Sequence, residues 1–131
     1  MSIHDMSTND ISKIDIVRRK IVEEKLRKKY CPMTETTFYT LLALLQPNHG
    51  YGIMKYVRDL TEERVKMGTG TLYTMLGRLV EDNIIIVINE EDGKKTYQIT
   101  EVGRMILVSE QERLKKQCDN GERILEKYYE K

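Results

Sequence analysis

The side chains best suited to gripping a polyanion cluster in one stretch, "KMGTGTLYTMLGRLVEDN", from Lys66 to Asn83. Thr69, Thr71, Tyr73, Thr74 and Arg78 fall there, with Lys66 just before them. Hydroxyls and a helix N-terminus can donate to phosphate oxygens or base edges, and an arginine can read guanine in the major groove. Gly77 lies among them and gives up about 1 kcal/mol of helix propensity relative to alanine, which suits close approach of another surface. Further along, Lys94, Lys95 and Thr96 are candidates for phosphate contacts. The same residues also fit a solvated polar helix face, with Arg78 paired to Glu81 or Asp82 and hydrated lysines. Spacing alone leaves both readings open.

Other chemistry has little support. His4 and His49 stand alone, and Cys31 and Cys118 form no CxxC pair, so no metal ligands and no cofactor are expected. There is no nucleophile–base constellation and no phosphate loop, so no catalytic residue is expected. Two buried or incidental thiols are expected rather than a disulfide. With 33% charged and 40% apolar residues, the chain reads as globular with long charged helices. No apolar run approaches the roughly 20 residues that span a bilayer, and "MSIHDMSTND" lacks a signal pattern, so a cytoplasmic location and no membrane partner are expected. Net charge is +1, but residues 1–33 carry eight Lys/Arg against five Asp/Glu, whereas residues 50–100 carry seven against eight. Any polyanion contact in that central part depends on local patches rather than an overall field.

The elements that must position these residues follow from periodicity. Residues 1–9 read as frayed, and an amphipathic helix follows from about Asn9 or Asp10 to Tyr30, with Ile14, Val17, Ile21, Val22 and Leu26 on one side. Asn9, Asp10 or Ser12 is its candidate cap. Pro32 ends it. Thr34 is the N-cap of a second helix, "FYTLLALL", placed centrally in the core. "QPNHGYG" is a turn, and a third helix runs from about Tyr51 to Glu62 with Ile53, Met54, Val57 and Leu60 inward.

Leu72, Met75, Leu76, Leu79 and Val80 give a helix over about 71–82 a clean apolar stripe, with Gly68 and Gly70 at its entry turn. Asn83 ends it in a left-handed cap. "IIIVI" and "TYQIT" then read as two strands joined around Asp92-Gly93, a hairpin signal, and Tyr97 is expected to pack on the core. Thr100 caps a last helix of about thirty residues, roughly 45 Å long against a radius of gyration of about 14 Å for a globule of this size. Leu107, Leu114, Gly121 and Tyr128 recur every seven residues along it, with Cys118 and Leu125 near the same face. With the N-terminal helix, that seam predicts a homodimer.

The expected fold is mainly α with a small β-hairpin: a winged helix-turn-helix domain over residues 34–100. It is flanked by an N-terminal tail and helix over 1–33 and a dimerisation helix over 101–131. "HGYGI" (His49 to Ile53), "GTGTLYTMLGRLVEDNII" (Gly68 to Ile85) and "GKKTYQITEVGRMIL" (Gly93 to Leu107) resemble, in order and spacing, the signature of the PadR family of transcriptional regulators. The resemblance departs at Thr69, where proline is common, and at Lys94 and Lys95, where the wing usually has arginines.

The resemblance implies a cytoplasmic, dimeric DNA-binding regulator, most often a repressor. The 71–82 helix would enter the major groove of a roughly palindromic operator, the hairpin would serve as wing, and the terminal helix would dimerise. It also implies that a small aromatic effector could bind between terminal helices, near Tyr30, Cys118, Tyr128 and Tyr129; aromatics at such a seam are more often packing. The competing expectation is a winged-helix protein–protein interaction module without DNA binding, favoured by the acidic Glu90, Glu91 and Asp92.

Overall fold

The computed structural model describes the backbone of residues 3–129 and the side chains of residues 12–129. The chain forms two compact units, Met1–Cys31 and Pro32–Lys131. The first is one helix, α1 (Ile3–Tyr30). It begins well before the expected start, so Asn9, Asp10 and Ser12 lie inside it rather than at its cap. Ile14, Val17 and Ile21 are exposed, whereas Arg27 is tied along the helix to Glu23 (2.7 Å) and Glu24 (3.2 Å).

The second unit runs α2 (Glu35–Ala43), β1 (Asn48–His49), α3 (Gly50–Leu60), α4 (Thr69–Glu81), β2 (Ile85–Glu91), β3 (Lys94–Ile99) and α5 (Glu101–Tyr129). Thr34 caps α2, its hydroxyl accepting from the Thr37 amide at 3.2 Å. The expected turn at Asn48–His49 instead contributes a short strand, pairing Asn48 with Tyr97 and His49 with Thr96. The sheet is therefore three-stranded and antiparallel in the order β1-β3-β2. Backbone amides in an irregular turn still need partners, and a neighbouring strand supplies them.

The hairpin is longer than the apolar runs suggested. Only Asp92 (φ 51°) and Gly93 (φ 79°) remain as its loop, the two consecutive positive φ values of a type I′ turn. Register slips between Val87 and Asn89, leaving Ile88 in a bulge on an edge strand.

The core gathers Leu41, Leu44, Ile53, Val57, Leu72, Leu76, Leu79, Ile84, Ile85, Ile99 and Ile106. Each such side chain contributes about 1.5–3 kcal/mol on burial. Leu60, expected inward, is exposed at the end of α3. Helix α4 ends in a Schellman motif: the Ile84 amide donates to the Leu79 carbonyl and the Asn83 amide to that of Val80, with Asn83 left-handed at φ 58°. The same motif ends α3 through Glu63 to Arg58 and Glu62 to Asp59, with Glu62 and Glu63 both at positive φ. The Thr61 hydroxyl donates to the Val57 carbonyl (2.8 Å) and accepts from the Val65 amide (3.1 Å), which fixes the turn that aims α4.

Helix α5 starts where expected. The Thr100 hydroxyl accepts from the Gly103 amide at 3.1 Å and donates to the Asn83 and Ile84 carbonyls. A Cβ on Gly103 would collide with the Ile84 carbonyl oxygen and lie 2.9 Å from Ile99 Cγ1, so glycine lets α5 lie directly against the start of β2. Glu110 is buried, holds Arg113 through two hydrogen bonds (2.7 and 2.9 Å), and accepts from the Met33 amide at 2.7 Å. From residue 115 to residue 129 every side chain is exposed.

Candidate nucleic-acid interface

Helix α4 spans Thr69–Glu81, two residues ahead of the expected start, which places Thr69 and Gly70 in its first turn. Its buried side is Leu72, Met75, Leu76 and Leu79; Val80 is half-buried. Residues opposite that stripe at 100° per residue are Gly70, Thr74, Gly77 and Glu81, flanked by Thr71 and Arg78 on one edge and Tyr73 on the other. All of these are exposed, as are Thr69 and Lys66. Gly68 caps the helix without a side-chain hydrogen bond, so the cap residue leaves the first-turn amides unsatisfied.

Arg78 has no ion pair or hydrogen bond among the described residues, with Glu81, Asp82 or anything else. Its guanidinium is an unengaged fork of donors. The three α4-region glycines are equally unused by the fold. A Cβ on Gly68, Gly70 or Gly77 would meet nothing within 4 Å, and Gly68 has an ordinary φ of −73°. The entry turn therefore does not need glycine. What glycine gives here is a bare backbone surface along the outer face.

Tyr73 ties this helix to the start of α3. Its hydroxyl end packs on Gly50, where an added Cβ would collide with the hydroxyl and sit 2.7 Å from Cζ. Gly50 follows His49, whose Nδ1 accepts from the Gly52 amide at 3.2 Å and caps α3. This leaves Nε2–H as the ring's donor.

On the hairpin, Lys94 and Lys95 are exposed and Thr96 is half-buried beside His49. Register puts Glu91 opposite Lys94 and Glu90 opposite Lys95, yet neither lysine forms an ion pair among the described residues. Tyr97 is buried, and that burial raises its pKa, with the neighbouring Tyr73 and Glu90 adding to the shift. His49 and Tyr51 lie on this surface without a signal in the sequence that places them there, and Tyr97, expected to pack on the core, lies at its edge.

The residues expected at a dimer seam are placed differently. Leu107 is buried in its own protomer and Leu114 is half-buried, so Leu107 serves the core of a single chain. Cys118, Leu125 and Tyr128 are exposed, Tyr128 at 76%. Both cysteines are free thiols, and no cluster of three His, Cys, Asp or Glu suited to a metal ion occurs among the described residues. No helix among them is long and apolar enough to cross a membrane.

A helix turned onto a second helix, followed by a two-stranded wing, defines a winged helix-turn-helix domain. Residues 39–109 match the transcriptional regulator PadR-like family, and the chain belongs to that family, one of regulators rather than enzymes. It is 33% identical over 67 residues to the transcriptional regulator YqjI of Escherichia coli (strain K12), covering 51% of this chain and 32% of that protein. The match thus spans about a third of the curated relative's length. Among solved structures, a PadR family transcriptional regulator from Eggerthella lenta DSM 2243 superposes with a TM-score of 0.60 at 22% identity, covering 92% of this chain and 97% of that one. A transcriptional regulator from Clostridium thermocellum, Cth-833, does so at 0.52 and 23%, covering 72% and 88%. These two share the fold.

Proposed function

We propose that the protein is a cytoplasmic, homodimeric, sequence-specific DNA-binding regulator, acting as a repressor. Helix α4 lies in the major groove, with Thr69, Thr71, Tyr73, Thr74 and Arg78 on the DNA. Lys66, Lys94, Lys95 and Thr96 contact the backbone. The observation that carries this reading is the outer face of α4, where an unpaired arginine and exposed hydroxyls flank glycines that the fold does not require. A helix interior that forgoes about 1 kcal/mol at Gly77 without any internal gain is accounted for by a surface that comes close from outside.

Dimerisation is through the exposed faces of α5 (Leu114, Cys118, Leu125, Tyr128) and α1 (Ile14, Val17, Ile21). A long helix with exposed apolar residues at heptad spacing is best satisfied by a second copy of itself. The operator is then roughly palindromic, with half-sites about one helical turn, some 34–36 Å, apart. An aromatic effector, where one is used, sits at that seam near Cys118, Tyr128 and Tyr129.

The test is selection of bound sequences from a random duplex pool by the full chain, followed by affinity against salt. A twofold-symmetric sequence should emerge, with affinity falling steeply as salt rises; no enrichment, or a flat salt response, refutes the reading. The second reading, a protein-interaction module, draws on Glu81 in the outer face of α4 and on Glu90 and Glu91 beside the wing lysines. It predicts no enrichment in the same selection.

A further inference from the structure

Two threonine hydroxyls on α2 donate to methionine sulfurs in and beside α4, although a thioether is a weak acceptor. Thr37 reaches Met75 Sδ at 3.4 Å, and Thr40 reaches Met67 Sδ at 3.5 Å. The two methionines differ in access. Met75 is 4% exposed in the buried stripe of α4, whereas Met67 is half-buried in the turn between α3 and α4, between exposed Lys66 and Gly68. Thr40 is fully buried, and Met67 Sδ is the sole partner of its hydroxyl among the described residues.

This contact sits where it can move α4. The Thr61 hydroxyl holds the first half of the turn, through the Val57 carbonyl and the Val65 amide. Two residues on, the Thr40–Met67 bond ties the second half to α2, immediately before Gly68, the N-cap of α4. The other described methionines have no such role. Met33 and Met54 are half-buried and Met105 is 45% exposed, and none of their sulfurs accepts a hydrogen bond among the described residues.

We propose that Met67 is a site of reversible oxidation by hydroperoxides, and that its sulfoxide releases the tether to α2 and displaces the start of α4. A sulfur lone pair attacks one peroxide oxygen and the O–O bond breaks. The proton on the transferred oxygen passes to the departing one, which leaves as water. Sulfur is oxidised by two electrons and peroxide is reduced by two, giving a polar, chiral sulfoxide that methionine sulfoxide reductases return to the thioether. The Thr40 hydroxyl covers one lone pair, so the oxygen enters at the other and a single epimer forms. Thr40 then regains an acceptor only if the Met67 side chain turns to present that oxygen, which pulls on the residue before the N-cap. The oxidised turn takes its original position only with a buried hydroxyl left unsatisfied. The consequence for DNA rests on the DNA-binding reading; the oxidation and its effect on stability do not.

The test treats the full chain with hydrogen peroxide and locates the added oxygen by peptide mass spectrometry. Met67 should be oxidised while Met75 stays reduced. The melting temperature should then fall by about 4–8 °C, and affinity for the selected operator by roughly tenfold. One epimer-specific reductase alone should restore both. Met67→Leu keeps the apolar volume without the sulfur, and after peroxide it should hold its own untreated melting temperature and affinity. Met105→Leu should lose as much as the wild type. Thr40→Val removes the donor, so Met67 should give both epimers and need both reductases for full repair.

A Met67 that stays reduced while Met105 is oxidised refutes the site. Equal losses in Met67→Leu and the wild type, or no loss in either, refute the tether. If the untreated protein selects no DNA, the DNA reading fails, and the oxidation pattern, the epimer and the melting temperature still decide the proposal.

Discussion

Replacing Gly77 with alanine separates what the fold needs from what the interface needs. A Cβ at this position meets nothing within 4 Å, and the residue lies in an exposed helix interior with ordinary backbone geometry. The substitution should therefore stabilise the protein by about 0.8–1 kcal/mol, the propensity difference between glycine and alanine. For a chain of this size that is a rise in melting temperature of about 3–5 °C. The added methyl projects from the same outer stripe as Thr74 and Gly70, where DNA is placed. Affinity for the selected operator should fall by roughly tenfold, or about 1.4 kcal/mol. Thermal melts and fluorescence-anisotropy titrations on the same preparations give both numbers. Because the variant is the more stable protein, weaker binding cannot be put down to misfolding. A stabilised variant with unchanged operator affinity would show that this face does not approach DNA, and a destabilised variant would show that the packing around Gly77 has been misread.

Gly103→Ala should destabilise by about 1–3 kcal/mol, because its methyl would be driven into the Ile84 carbonyl and the Ile99 side chain; a urea midpoint equal to wild type would contradict that close approach. Glu110→Ala should lower unfolding free energy by about 3 kcal/mol in chemical denaturation, since it strands the Met33 amide and releases Arg113. A chain ending after Gln117 keeps the Glu110–Arg113–Gln117 hydrogen bonds and should sediment as a monomer with an intact winged helix. A dimer of that length would move the seam away from Cys118, Leu125 and Tyr128.

Much of the winged helix was legible because its signals are local. Thr34 and Thr100 cap the helices they were expected to cap, Asp92-Gly93 forms the turn its residues favour, and Asn83 takes the left-handed position that ends α4. The α4 stripe was read nearly residue by residue, because a 3.6-residue period is a property of the chain itself. What escaped depends on partners distant in sequence. The short strand at Asn48–His49 exists only because Thr96 and Tyr97 lie beside it. The bulge at Ile88 comes from pairing register, which composition does not encode.

In the sequence Glu110 reads as one charge among many on a charged helix, and the heptad spacing places Leu107 at the seam. Yet Gly103, Ile106, Leu107 and Glu110 recur at i, i+3, i+4 and i+7, the buried face of α5. That periodicity was available, and it would have put both residues in the core. The alternative pairing of Arg78 with Glu81 or Asp82, which the spacing left open, is not formed: proximity in sequence permits an ion pair without requiring one.

Arg78 also provides the most direct test of the central claim, that the outer face of α4 reads DNA sequence. The measurement is the affinity of wild type and Arg78→Ala for the selected operator and for a scrambled duplex of the same length and salt. The account predicts a loss of tenfold or more on the operator, from about 1–3 kcal/mol of base discrimination, and a much smaller loss on the scrambled duplex. Equal losses on the two duplexes, or none on either, would contradict it.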